Sequence, residues 1–255
     1  MINARTLSQF HQTGNFTSMS GERLSLAAAV EHACWLASTE TLDGKIPEPT
    51  GPTWLLIRES GWGFSDLREI DNGHYSVLNI PSTDDNHVWK RRVDSRLRTK
   101  LEKVGFSIKF AKALSGAAIE IVSNVWEHSC TQRASILAYQ LEQQRVEFVV
   151  ADLGIGVLKS LTQNPRYKSL QTSPQALEMA AKGASSKREN GFGFGELIKA
   201  VADHGAVRLR SGAGILNIRG TIDQRLWKRQ FGVELPGLQV AFTCTASPNA
   251  DNVTL

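Results

Sequence analysis

The segment from Ala117 to His128 constrains the fold most strongly, because it predicts a helix with one polar face of unusual chemistry. A helix turns by about 100° per residue, so Glu120, Asn124 and Glu127 lie within ~60° of one another on that face. The apolar positions that flank this stripe and predict packing are Ala111, Leu114, Ala118, Ile121, Val122 and Val125. The stripe holds carboxylates, an amide and an imidazole but no Lys or Arg. The pattern therefore predicts an amphipathic helix whose polar face either meets solvent or holds a ligand.

A buried strand is predicted next, and an acidic residue ends it. Residues 145–151 are largely apolar, as in a central strand, and Asp152 follows them. Gly154 and Gly156 let the main chain turn sharply and admit a ligand close to the backbone. A buried carboxylate here suits an exocyclic amine such as that of adenine, although an ordinary tight turn explains the same residues.

A second glycine-rich turn comprises Gly191, Gly193 and Gly195, before a helix predicted to begin near Glu196. The first N–H groups of a helix are unpaired and its N-terminal dipole end is positive, so this position attracts phosphate. The motif is neither a Walker A loop, since no Gly-Lys-Ser/Thr is present, nor a Rossmann turn, since no strand precedes it.

The polar stretch 157–190 lies between the two glycine motifs. Its length predicts a mobile lid, with a short helix beginning at Ser173-Pro174 and stopping near Gly183. The candidate phosphate ligands near its end are Ser185, Ser186, Lys187 and Arg188, and a solvated loop is the alternative.

Taken in order, three motifs resemble the N, G1 and G2 boxes of the GHKL ATPase superfamily, which includes gyrase B subunits, Hsp90 chaperones, sensor histidine kinases and anti-sigma-factor kinases. The motifs are Glu120-x-x-x-Asn124, Asp152-x-Gly154-x-Gly156 and Gly191-x-Gly193-x-Gly195. The resemblance covers about residues 90–246. It implies a Bergerat-type two-layer α/β sandwich, with a mixed sheet covered by helices on one face and ATP held under a mobile lid.

The resemblance also implies roles for individual residues. Asn124 would bind Mg²⁺, Asp152 would read adenine, and Glu120 would act as general base. The other implied cofactor-binding residues are His128, Gly154, Gly156, Gly191, Gly193 and Gly195, and the loop candidates Ser186 and Lys187 complete the predicted set. The last strand departs from the family pattern, because Leu238 follows Gly237 where a Gly-Thr pair is expected.

The predicted domain organisation has three parts. Residues 1–85 form an N-terminal α+β extension of unknown role, residues 86–246 form the ATP-binding domain, and residues 247–255 form a tail. Within the central part, the pattern predicts helices at about 85–103 and 108–129, then strands at 133–139 and 145–151. A helix at 195–204 and three strands follow, two of them separated by a turn at 212–214.

Charge and cysteine usage narrow the class of protein. The net charge is +4, and residues 90–103 alone contribute +5 through seven Lys/Arg against two acids, so a general nucleic-acid binder is not indicated. That run reads as a solvated helix face or as a surface for an acidic partner.

Cys34, Cys130 and Cys244 are far apart and predict buried thiols in a reducing cytosol, with no zinc site. No signal peptide or membrane span is apparent, so we expect a cytoplasmic protein.

Two functional hypotheses follow from the resemblance. The first is a stand-alone ATP hydrolase or protein serine kinase that regulates an unidentified protein partner, with Glu120 activating water or an acceptor hydroxyl. The second is a non-hydrolysing, ATP-gated interaction module. Homodimerisation is left open, and binding of nucleic acid through residues 90–103 is a third, lesser alternative.

Overall fold

We analysed a computed structural model that describes residues 26–38, 70–71, 75–80, 87–129, 135–185, 193–201, 204–219 and 226–246. Several predictions lie outside these residues: the phosphate ligands Ser186 and Lys187, the glycine Gly191, the thiol of Cys130, the tail 247–255 and most of the extension 1–85.

Six strands form one sheet in the described part of the chain, in the order β1-β2-β3-β4-β6-β5. Their bounds are β1 Ile70–Asp71, β2 Tyr75–Ile80, β3 Ser135–Glu142, β4 Arg145–Asp152, β5 Gly205–Arg219 and β6 Leu226–Thr245. Every neighbouring pair is antiparallel, so the prediction of a mixed sheet was wrong. The motif order did not reveal this, because strand direction depends on pairing between distant segments.

The helices from residue 87 onward and one face of the sheet share one hydrophobic core. The helices are α1 Leu26–Ser38, α2 His87–Lys103, α3 Ile108–His128, α4 Gly156–Thr162, α5 Ser173–Ala181 and α6 Gly193–Val201, with a 3₁₀ turn at Pro165–Tyr167. Side chains alternate across a strand, and the set of β4 that includes Phe148 and Val150 packs into this core. Phe148 stacks on Phe242 of β6, with ring centroids 4.7 Å apart. The α/β architecture was therefore predicted correctly at the level of sheet plus helices.

Helix α1 lies against the opposite face of the sheet. Glu147 alternates with Phe148 along β4 and accepts a hydrogen bond from the backbone N–H of Ala27 at 3.1 Å. Gln239 of β6 donates to the carbonyl of Ala27 at 2.7 Å. The prediction that helices cover only one face was thus wrong, because α1 was assigned to a separate extension.

Strands β1 and β2, which were predicted to lie in the N-terminal extension, belong to this sheet. β2 pairs with β3 along its whole length, from Tyr75 opposite Gln140 to Ile80 opposite Ser135. Asp71, at the end of β1, pairs with Arg96 and, at 2.7 Å, with Lys100 of α2. Part of the basic run therefore contacts the sheet edge that precedes it in sequence.

The predicted lid is largely helical up to residue 185. Helix α4 and the 3₁₀ turn were not predicted, and they bury Val157, Leu161 and Tyr167 in the core. Helix α5 begins as predicted, with Thr172 and Gln175 forming a capping box. The apolar spacing of Val157 and Leu161 is helical, but the glycines before it suggested a loop. Residues 157–185 are therefore not a structureless loop, and their movement as a lid stays a prediction.

β5 runs without the predicted turn at 212–214. Its pairing with β6 shifts register between Ser211 and Gly214, so the glycines form a bulge within one strand. Among the described residues, no helix has the length and apolar character needed to cross a membrane.

Candidate functional site

A pocket of about 730 Å³, including its open mouth, lies between α3, α4, α5, α6, the end of β4 and the interior of β6. Ligand pockets in proteins are mostly apolar with a few convergent polar groups. The apolar lining consists of Ile121, Val125, Val150, Val157, Leu161, Ala180, Ala184, Phe194, Leu238 and Val240. The polar lining consists of Asn124, His128, Ser129, Asp152, Ser160 and Ser185.

Asp152 is the buried acid of this pocket. It is the last residue of β4, and only 4% of it is exposed. Its Oδ1 accepts a hydrogen bond from the backbone N–H of Gly154 at 2.7 Å. Burial raises the pKa of Asp152 to about 6, although hydrogen bonds from the backbone of Gly154 and Leu238 lower it in part. Near neutral pH the group is therefore mainly a carboxylate, and it offers a strong hydrogen-bond acceptor to the pocket.

Gly154 is required by the packing of the turn after β4. A Cβ added to it would collide with the carbonyl oxygen of Ser129, at the end of α3. That carbonyl accepts a hydrogen bond from the N–H of Ile155 at 3.0 Å. Gly154 thus shapes the site without lining the pocket, whereas the ligand contact predicted for it is not tested.

Gly156 begins α4 with a positive φ of 76° and is itself a pocket-lining residue. A Cβ here would lie 2.9 Å from the hydroxyl oxygen of Ser211 on β5. That hydroxyl accepts from the N–H of Val157 at 2.9 Å and donates to the carbonyl of Gly237 at 2.6 Å. Glycine at 156 therefore permits α4 to start directly against the sheet.

Gly237 is a site residue that sequence reasoning did not identify. Its φ is 67°, and an added Cβ would collide with the backbone carbonyl of Asp152. Its N–H donates to the carbonyl of Gly154 at 2.9 Å. Gly237 lies just before the predicted last strand, at Val240 to Cys244, and a glycine at such a place is the signal that could have indicated a close approach of two backbones.

The polar face of α3 reaches the pocket only in part. Asn124 and His128, one turn apart, are both half-buried and both line it. Glu120 lies one turn earlier, half-buried, and is not among the lining residues. Glu127 lies 3.8 Å from His128, between Oε2 and Nε2. The structure therefore brings together Asn124, His128 and Asp152 and leaves Glu120 beside the pocket.

The second glycine motif meets the pocket through its phenylalanine. Helix α6 begins at Gly193, three residues earlier than predicted, so Gly193 and Gly195 lie in its first turn. Phe194 between them lines the pocket. A Cβ on Gly195 would meet nothing within 4 Å, so packing does not require glycine there. The first turn of α6 is thus adjacent to the pocket, and the phosphate contact of this helix start stays a prediction.

Metal binding by protein side chains alone has no support in the described parts of the chain, where no group of three or more His, Cys, Asp or Glu could hold an ion. The amide oxygen of Asn124 remains a suitable single ligand. Mg²⁺ commonly binds through one or two protein oxygens together with substrate phosphates and water.

The two cysteine thiols that the structure describes are unreactive because they are buried. Cys34 on α1 and Cys244 on β6 are both free and buried. Burial raises the pKa of the Cys244 thiol to about 12. The prediction of buried thiols is confirmed for these two residues.

Comparison with known proteins adds no assignment to this geometry. No protein-family model matches the sequence, and no curated protein matches it.

Proposed function

We propose that the pocket binds Mg-ATP, and that the protein is a GHKL-type ATP-binding regulator of a partner protein. The observation that carries the proposal is Asp152, a buried carboxylate that opens onto an apolar pocket from a strand end. An adenine ring needs apolar walls for its faces and an acceptor for its amine, and Val150, Leu161 and Leu238 accompany Asp152 there.

The rest of the pocket supports a bound triphosphate. The first turn of α6 offers backbone N–H groups beside Phe194, and helix N-termini favour phosphate. Asn124 would hold Mg²⁺ through its amide oxygen, and the ion would neutralise phosphate charge. Asn124, Asp152 and the start of α6 each come from one of the three motifs, and all three motifs meet at this pocket.

The reaction depends on Glu120. Its position one turn from Asn124 suits a general base that receives a proton from water or from an acceptor hydroxyl. Its place outside the pocket lining favours the alternative of a non-hydrolysing, ATP-gated module. Both candidates share the same nucleotide site and differ only in turnover.

Titration calorimetry with ATP, in the presence and absence of Mg²⁺, tests the shared premise. We expect Asn124→Ala to weaken Mg-ATP binding at least tenfold and to lose most of the Mg²⁺ dependence. Ser123→Ala is the matched control, because Ser123 is the neighbour of Asn124 on α3 and its hydroxyl donates to the Ile119 carbonyl at 3.0 Å. Wild-type protein that shows no Mg-ATP binding would refute the proposal.

Turnover assays then separate the two candidates. Phosphate release, or phosphate transfer to a partner, that is lost in Glu120→Gln but retained in Glu142→Gln supports the enzyme. Glu142 is an exposed carboxylate at the end of β3 and serves as the control. ATP binding without any turnover in wild type supports the interaction module.

A further inference from the structure

A buried ion-pair cluster joins α1 to the back of the sheet. Glu31 of α1 is fully buried, and its two carboxylate oxygens accept from different arginines of β5. Arg208 Nη2 donates at 2.5 Å and Arg210 Nε at 3.2 Å. Arg210 is 1% exposed, so its charge depends on this carboxylate for compensation.

Arg210 also holds the bulge of β5. Its Nη1 donates to the carbonyl of Gly212 and, at 3.0 Å, to the carbonyl of Gly214. Both carbonyls lie where β5 and β6 lose register, so strand pairing alone does not define their positions. One guanidinium therefore connects the helix on the back face to the most irregular point of the sheet.

The bulge contacts the elements that form the pocket. A Cβ on Gly212 would lie 2.6 Å from the hydroxyl oxygen of Ser173, and a Cβ on Gly214 would lie 2.8 Å from the nitrogen of Pro174. The N-terminus of α5 thus packs directly on the bulge, and its far end contributes Ala180 to the pocket.

Ser211, at the start of the bulge, reaches the other side of the pocket. It accepts from the N–H of Val157 in α4 and donates to Gly237, whose backbone packs against Asp152. A shift of the bulge would therefore move α4, α5 and the surroundings of Asp152 together.

We propose that Arg210 is a positioning residue for the candidate nucleotide pocket, and that α1, by supplying Glu31 to it, sets the affinity of the pocket from the opposite face of the sheet. The part about affinity rests on the proposed function, whereas the part about position does not. Because linkage is reciprocal, a ligand in the pocket also strengthens the docking of α1.

Hydrogen exchange without any ligand tests the positioning role. We expect Arg210→Lys to raise the exchange rate at least tenfold for the amide of Val157 and for amides of α5. Arg208→Lys is the matched control. Arg208 also donates a hydrogen bond to Glu31, but in the described structure Arg208 makes no hydrogen bond to the carbonyls of the bulge. In the control we expect those amides to change by less than twofold. The amides of β3 and β4 report global unfolding. Exchange rates of the variants are compared only under conditions in which the β3 and β4 amides remain protected.

Equal acceleration in both variants would show that the cluster contributes stability alone, and it would overturn the proposal. If Arg210→Lys does not fold, Glu31→Gln with the same readout replaces it, and unchanged exchange in α4 and α5 would again overturn the proposal. ATP titration then tests the proposed effect on affinity. We expect Arg210→Lys to bind ATP at least fivefold more weakly than Arg208→Lys. Wild type that binds no ATP refutes the proposed function and, with it, the affinity part of this proposal. The positioning part is decided separately by the exchange result, which is independent of nucleotide.

Discussion

Replacing Asp152 by Asn should make the protein more stable and at the same time unable to hold its ligand. The two side chains have nearly the same shape, so the change removes a charge with little repacking. Oδ1 is already held by the N–H of Gly154, so the amide nitrogen of Asn would take the position of the other oxygen. It would then present N–H donors where the pocket of the wild type offers an acceptor.

The magnitude follows from the pKa of Asp152, which burial raises from 3.8 to about 6. Below pH 3.8 the carboxyl is protonated in both folded and unfolded chains, so its protonation does not change the free energy of unfolding. As the pH rises, the unfolded chain ionises first, so stability falls until the folded pKa of about 6 is passed. Each pKa unit corresponds to about 1.4 kcal/mol, so ionised Asp152 destabilises the fold by up to about 3 kcal/mol above that pH.

Urea unfolding of wild type and Asp152→Asn between pH 4 and 8 measures this difference. We expect the variant to gain stability over wild type as the pH rises, by up to about 3 kcal/mol at pH 7.5. The exposed Glu102→Gln on α2 is the control, expected to stay within about 0.5 kcal/mol of wild type. Nucleotide binding to the variant should be lost under the same conditions. A difference that does not vary with pH, or a variant less stable than wild type at pH 7.5, would refute this reasoning.

Three further predictions concern packing. Gly237→Ala should lower the free energy of unfolding by more than about 2 kcal/mol in urea titrations, because its Cβ would collide with the Asp152 carbonyl at a positive φ. The control is Gly116→Ala in α3, where a Cβ meets nothing within 4 Å, and it should stabilise the protein by about 0.5–1 kcal/mol. Equal effects of the two substitutions would contradict the packing argument. Thr172→Ala should destabilise by about 1 kcal/mol by removing the capping box of α5, and an unchanged urea midpoint would count against that role. Phe148→Ala should cost about 3–5 kcal/mol, since the ring is fully buried against Phe242, and a loss below ~1 kcal/mol would show that this part of the core collapses around the gap.

Elements with a strong local pattern were predicted closely. α2 and α3 begin and end within about two residues of the predicted positions, and β4 ends at Asp152 as expected. Their apolar residues recur at the helix or strand period, so the signal lies within each segment. For the same reason, the sequence indicated that Asn124 and His128 share one helix face.

Elements whose form depends on distant partners were predicted poorly. Glycines at 212 and 214 favour a turn locally, yet pairing with β6 holds them in a bulge. α4 was missed because its apolar residues are few and follow a glycine turn. That Glu120 lies outside the pocket lining also depends on tertiary contacts, because the lining comes from several distant segments.

By itself the sequence determined the long helices α2 and α3, the central strands β3 and β4 and the placement of an acid at a strand end, because these follow from periodicity over neighbouring residues. Only the tertiary structure decided that the sheet is antiparallel throughout its described strands, that Gly237 packs against Asp152, and that Glu31 meets Arg210 across 179 positions of chain. The physical reason is that burial of Asp152 and of the ion pair exists only after distant segments have excluded water from them.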